Sequence, residues 1–378
     1  MRQEKNLYCG NANLSTIKFF STRKASFIIF IGLLLFALYL YFFAGFKQIV
    51  TVLQGVNPEQ YAFFYFLAIS SILIANFFWS ESWRNLLNSL SIKISRKKAY
   101  LYYWVGYFVD LVVPCETVCG EVTRLYLVHS ETKDNHGLIA AGGITNRIVA
   151  YIIVVAGLYT SAALLFSTLN IPSIILNVFI LILIGATLYL AILLYLALSN
   201  KAAGKIAYFL LKILRFIRPK KYRSNTLSNA TMESLSAFYS GFKIFREKPR
   251  SLTKPIIYMT LSWLLNLAAF ILVFYALGIY TQSFAFFIIV YFVAGSLTDV
   301  ASSFSVGTLE ILLSAIFVLY GLNTALSGIT AALVRSVTFW FPLILGYTII
   351  QVVGTKKLLL KKDAKIPTKK DYLALSSI

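Results

Sequence analysis

Three arginines and five carboxylates sit where the chain around them is otherwise apolar: Arg124, Arg147 and Arg335, with Asp110, Glu116, Glu121, Asp299 and Glu310. A charge at a helix centre in a bilayer costs about 2.5–3.5 kcal/mol on insertion scales, so such groups are paired or functional. Glu121 and Arg124 share one helix face and can pair locally. An arginine cannot shed its proton, and its planar fork suits the oxygens of a phosphate. Anion binding is the chemistry to expect. Glu121, Arg124, Arg147, Glu310 and Arg335 are the candidates for holding a lipid phosphate. The plainer alternative is that these acids and arginines only lock helices together, and both readings stand open here. Asp110 and Asp299 are candidates for proton-linked groups; each could equally cap a helix or line water.

Bond-making chemistry has little to work with. His129 and His136 are the only histidines, and Cys9, Cys115 and Cys119 the only cysteines. An odd number without zinc spacing makes neither a metal centre nor a disulfide framework. Cys115 and Cys119, one helical turn apart, read as small packing residues. The sequence has no phosphate-cradling glycine loop, dinucleotide fingerprint, zinc-protease helix or serine elbow. It also has no Asp-x-Asp pair for a nucleotide-sugar metal. No catalytic residue, metal or cofactor is expected, and a transporter fits better than an enzyme.

The elements that would position these residues must be membrane helices. Of 378 residues, 59% are hydrophobic and 13% charged, with a mean hydropathy of +0.76. The 24 Tyr and 31 Phe suit rings at lipid interfaces. The net charge of +21 does not point to nucleic acid, because Lys and Arg fall in the gaps between apolar segments. Topology signalling and attraction to anionic headgroups of membrane lipids explain that placement.

A crossing helix needs about 20 apolar residues. Six segments qualify: 27–46, 61–80, 144–166, 173–198, 255–278 and 326–352. Two further apolar stretches, 99–128 and 285–321, are broken in the middle. Pro114 and Gly120 mark the first break; Ser303 and Gly307 mark the second. The basic segments 1–26, 81–98, 199–254 and 353–378 should be cytoplasmic, and the uncharged connections 167–172, 279–284 and 322–325 outside. Both broken stretches then have to return to the side they enter from, as re-entrant hairpins.

The expected fold is all-α and polytopic: six full transmembrane helices plus two re-entrant helical hairpins in an inverted repeat. A basic cytoplasmic leader (1–26) precedes repeat 1 (27–166, hairpin 99–128). Repeat 2 (173–352, hairpin 285–321) is followed by a basic cytoplasmic tail (353–378). Matching features mark the repeat: Tyr107-Phe108-Val109 against Tyr291-Phe292-Val293, and Glu121 with Arg147 against Glu310 with Arg335. Inverted repeats place a transporter's site near the midplane. Within 199–254, Phe238, Phe242 and Phe245 form one apolar stripe, and Lys205 to Arg218 another amphipathic stretch. Both read as helices in the interface plane.

Pro114 through Arg124, then Asn146-Arg147, Gly307-Thr308-Leu309-Glu310 and Arg335, resemble the lysylphosphatidylglycerol synthase transmembrane region family, also called flippase-like. The likeness covers about 27–352. It implies that Gly120, Glu121, Arg124, Arg147, Glu310 and Arg335 mark a lipid pathway. Two features depart from the family. Ser302 to Gly307 stands where the family has a Pro and more Gly. The soluble aminoacyl-transfer domain of some members is missing, so lysyl transfer is not expected of this chain alone. The expectation is a lipid translocase for a phospholipid or a polyprenyl-phosphate-linked lipid. It would be multi-pass in the cell membrane with both termini cytoplasmic. The alternative is an integral membrane glycosyltransferase, or a component of a lipid-linked glycan pathway.

Overall fold

The computed structural model describes residues 45–112, 118–168, 173–198, 225–301 and 305–363, together with Phe30, Ile31, Leu34, Ala37, Leu38, Tyr41 and Phe42. The candidate positions Pro114 and Ser303, the stretch Lys205 to Arg218 and most of segment 27–46 lie outside the described residues. The described residues are helical, with no strand among them.

The helices are α1 (Phe46–Gly55), α2 (Pro58–Ser89), α3 (Arg96–Val112), α4 (Val118–Thr132), α5 (His136–Thr168), α6 (Ser173–Leu198), α7 (Asn225–Glu247), α8 (Thr253–Ala276), α9 (Phe284–Ala301), α10 (Ser305–Leu319), α11 (Thr324–Arg335) and α12 (Phe341–Asp363). A π turn, Ser336–Trp340, joins α11 to α12. Among the described residues, four stretches are long and apolar enough to cross a membrane: Pro58–Ser89, His136–Leu165, Pro249–Ala276 and Thr324–Val352. Shorter apolar helices run over Phe179–Tyr195, Phe284–Ser296 and Leu309–Leu319. The chain is thus a multi-pass α-helical membrane protein.

Local sequence explains the helix ends. Asn57 caps α2, its side chain accepting from the Glu59 and Gln60 backbone N–H groups, and Pro58 fills the first helical turn, where no donor is needed. Asn323 caps α11 through the Leu326 N–H. Beyond α8 and α10 the chain turns at Gly278 (φ 74°) and Gly321 (φ 92°), left-handed conformations that favour glycine.

Helices α2 and α8 form the central packed pair. Ser71 donates to the Leu265 carbonyl at 2.7 Å, and Phe78 stacks on Tyr258. A buried cluster that includes Phe270, Phe274, Phe286, Phe287 and Phe317 ties α8 to α9 and α10. The two broken stretches each fold as two helices that run back on themselves. In the first, Tyr102 donates to Glu131 at 2.7 Å while Asp110, further along α3, meets Gly120 at the start of α4. In the second, the Phe286 ring at the start of α9 packs on Tyr320, just past the end of α10.

Helix α7 places its apolar stripe on protein. Phe242 and Phe245 are buried in the cluster that holds Leu86, Leu87, Ile139 and Ala141. The approach to α5 is close. A Cβ on Gly137 would collide with the Ser234 backbone, and one on Gly241 would lie 2.7 Å from the Ala141 Cβ. Helix α12 continues to Asp363, past the expected end of its span at 352.

Candidate functional site

The antiparallel pair α3–α4 is held by unusually small residues at the crossing. A Cβ on Gly120 would strike the Asp110 carboxyl and the Gly106 carbonyl oxygen. That closeness lets Asp110 accept from the Gly120 backbone N–H at 2.7 Å, capping the first turn of α4. It also lays the Arg124 guanidinium against Gly106.

Arg124 is 2% exposed. Its Nη2 lies 3.1 Å from Asp110 Oδ2 and its Nη1 lies 2.7 Å from Glu121 Oε1. The guanidinium also sits over the rings of Trp79 and Tyr103, at 4.9 and 5.3 Å from their centroids. From α5, Arg147 reaches the same Glu121 Oε1 with its Nε at 3.2 Å. Two carboxylates and two guanidiniums, from three helices, form one cluster. Pairing of this kind offsets the cost of desolvating each charge.

A second pair lies apart from the first. Arg335, at the end of α11, holds Glu310 of α10 with an Nε–Oε1 distance of 3.0 Å. The glutamate is fully buried and the arginine 3% exposed. The Phe339 ring, in the π turn, lies 4.3 Å from the guanidinium carbon. Tyr65 and Ser336, next to this pair, share a hydrogen bond of 2.6 Å.

A cavity of about 780 Å³ opens between α4, α5 and α6. Its walls are mainly apolar, with Val122, Leu125, Ile144 and Leu181 among them, and Tyr151, Tyr189 and Ser296 add polar edges. Among the described residues, Glu121 and Arg147 are the charged ones in the lining. Val118, Val122 and Leu181, at 60%, 59% and 71% exposure, line it from the outer surface. Large exposed apolar side chains at the mouth suit a lipid environment rather than water.

The structure therefore separates the five arginine and glutamate candidates. Glu121, Arg124 and Arg147 come together, joined by Asp110; Glu310 and Arg335 form their own pair. Only Glu121 and Arg147 line the cavity, because Arg124 and Arg335 are sealed off by their carboxylate and aromatic neighbours. The carboxyl of Asp110 is engaged by Arg124 and by a helix end, one of the alternatives its position left open. Gly120 sits at the crossing of α3 and α4, and Gly307 falls in the first turn of α10. Asp299 belongs to α9; its side chain is outside what the structure describes.

Some contacts of the site carry no sequence signal. Asn146 is fully buried, and its Oδ1 accepts from Ser82 at 2.7 Å. Ser82 also lies 3.1 Å from the Pro255 carbonyl oxygen, so α2, α5 and α8 meet at this point. The indole N–H of Trp83 and the amide of Asn146 are buried donors without an acceptor among the described residues. Among those residues, no group of three His, Cys, Asp or Glu side chains could hold a metal.

Comparison with known proteins gives one family and one relative. The UPF0104 membrane protein PH1989 of Pyrococcus horikoshii is 24% identical over 352 residues, covering 90% of this chain and all of that protein. No solved structure matches the chain. The family described as the lysylphosphatidylglycerol synthase TM region matches residues 29–346, which include both buried ion-pair groups and the cavity, and the chain belongs to that family.

Proposed function

We propose that this protein is a lipid translocase of the cell membrane, moving a phospholipid or a polyprenyl-phosphate-linked lipid between leaflets. One observation carries the reading: the cavity between α4, α5 and α6, whose apolar walls hold the Glu121–Arg147 pair. Apolar walls accommodate acyl or prenyl chains, and the arginine fork offers two donors to phosphate oxygens. The family's name links it to a lipid-modifying protein, which agrees with a lipid ligand.

In this reading the chain has six full spans and both termini in the cytoplasm. The pairs α3–α4 and α9–α10 are re-entrant hairpins entering from opposite faces of an inverted repeat. The similar spacing of Glu121 to Arg147 and of Glu310 to Arg335 supports that symmetry. With no nucleotide site in the sequence, movement runs downhill or follows an ion gradient.

The test is purified protein reconstituted in liposomes with a probe lipid that can be quenched in one leaflet only. Exchange well above that of protein-free liposomes is expected. Exchange equal to the protein-free rate would overturn the assignment.

A further inference from the structure

We propose that the cavity selects a headgroup carrying a primary ammonium beside its phosphate, an aminophospholipid of zero net charge, over a purely anionic headgroup. This rests on the reading of the cavity as a lipid site and narrows it to one substrate class.

Charge balance points this way. At the cavity the Arg147 guanidinium already faces the Glu121 carboxylate, and behind them Asp110 and Glu121 both hold Arg124. A bare phosphate arriving at Arg147 also meets the Glu121 carboxylate, whose Oε1 lies 3.2 Å from the Arg147 Nε. Like charges at that range repel strongly where the walls are apolar. A headgroup that brings its own cation removes the conflict.

The hydrogen-bonding groups around the cavity are complementary to such a ligand. Glu121 Oε1 is shared by two arginines. Oε2 accepts from no described residue and faces Gly143, where a Cβ would stand only 3.2 Å away. Both residues line the cavity, so the glycine leaves this acceptor open to it. An ammonium has three donors and no acceptor, which fits a spare carboxylate oxygen. On the donor side, Arg147 and the buried N–H of Trp83 both line the cavity. They suit phosphate oxygens. The apolar wall of Val122, Leu125, Ile144 and Leu181 then takes the chains.

Binding to the full-length protein in detergent tests this apart from movement. The probes are short-chain phosphatidylethanolamine, short-chain phosphatidylglycerol and glycerophosphoethanolamine, which has the headgroup without chains. Thermal unfolding is followed across a titration of each. Phosphatidylethanolamine is expected to bind about tenfold more tightly than phosphatidylglycerol, the scale of one hydrogen bond to a charged group. Equal or tighter binding of phosphatidylglycerol would overturn the proposal. So would glycerophosphoethanolamine matching the lipid, because the ligand would then be a soluble phosphate. Glu121→Gln and Gly143→Ala should each erase the preference, the first by removing the charge and the second by crowding Oε2. Should Glu121→Gln not fold, Gly143→Ala carries the test, and a folded variant that keeps the tenfold preference refutes the assignment. Selective binding without transport would sink only the translocase reading. Transport with no headgroup preference in binding would sink only this one.

Discussion

Arg335 Nε lies 3.0 Å from Glu310 Oε1 across two packed helices, and both side chains are cut off from the surface of the protein. Removing one partner from such a pair strands the other. Arg335→Ala should cost about 3–5 kcal/mol, because a buried carboxylate is left without its counter-charge. The double variant Glu310→Leu with Arg335→Met should recover most of that loss, since hydrophobic replacement of a buried pair is often neutral. Thermal unfolding of the purified variants in detergent checks both. A single variant as stable as the wild type would mean that the pair does not hold α10 to α11.

Arg147 is the arginine that reaches the cavity, and its side chain is 16% exposed. Arg147→Ala should bring lipid exchange in liposomes down to the protein-free rate while the protein still inserts. Arg147→Lys should restore only a small part, because a lysine offers a point charge where the fork gave two parallel donors. Wild-type exchange in the alanine variant would reduce Arg147 to a partner for Glu121.

The pairing of Glu121 with Arg124 was legible in the sequence, because three-residue spacing on a helix fixes which side chains meet. The break of 99–128 and of 285–321 into two helices was legible too, since each stretch is too long for one short helix and carries turn-forming residues at its middle. What spacing does not convey is which helix packs on which. Arg335 pairs with Glu310 rather than joining Glu121 and Arg147. Asn146 and Ser82 gave no sign of their bond, because it depends on the crossing of α2, α5 and α8. The apolar stripe of α7 suits lipid and protein equally. Gly137 and Gly241, which permit the close approach to α5, decide for protein.

The crossing of α3 and α4 should be the most sensitive backbone contact in the site. A Cβ on Gly120 meets the Asp110 carboxyl, which Arg124 and the Gly120 N–H hold in place, and the Gly106 carbonyl oxygen, which is fixed in the α3 backbone. Gly120→Ala should cost about 1–3 kcal/mol by overpacking and should weaken lipid binding along with it. Gly55→Ala is the control: nothing lies within 4 Å of the added methyl, and it should leave unfolding unchanged within about 0.5 kcal/mol. Equal effects from the two substitutions would show that the close approach is not needed.

Orientation in the membrane follows from charge, and single cysteines read it directly. With Cys9, Cys115 and Cys119 replaced by serine, Asn225→Cys reports on the start of α7 and Thr281→Cys on the uncharged turn between α8 and α9. The basic segment around Asn225 should stay on the cytoplasmic side, because Lys and Arg near span ends resist translocation. Thr281 is exposed, in a connection without a charged residue, and should face outward. A membrane-impermeant maleimide on intact cells should therefore modify Thr281→Cys, and Asn225→Cys only after the membrane is opened. The sequon Asn229-Ala230-Thr231, on the same helix as Asn225, should remain unglycosylated in a host able to modify it. If Asn225→Cys reacts on intact cells, the start of α7 lies outside. The pairs α3–α4 and α9–α10 would then no longer be required to enter from opposite faces, and the inverted repeat would lose its topological basis.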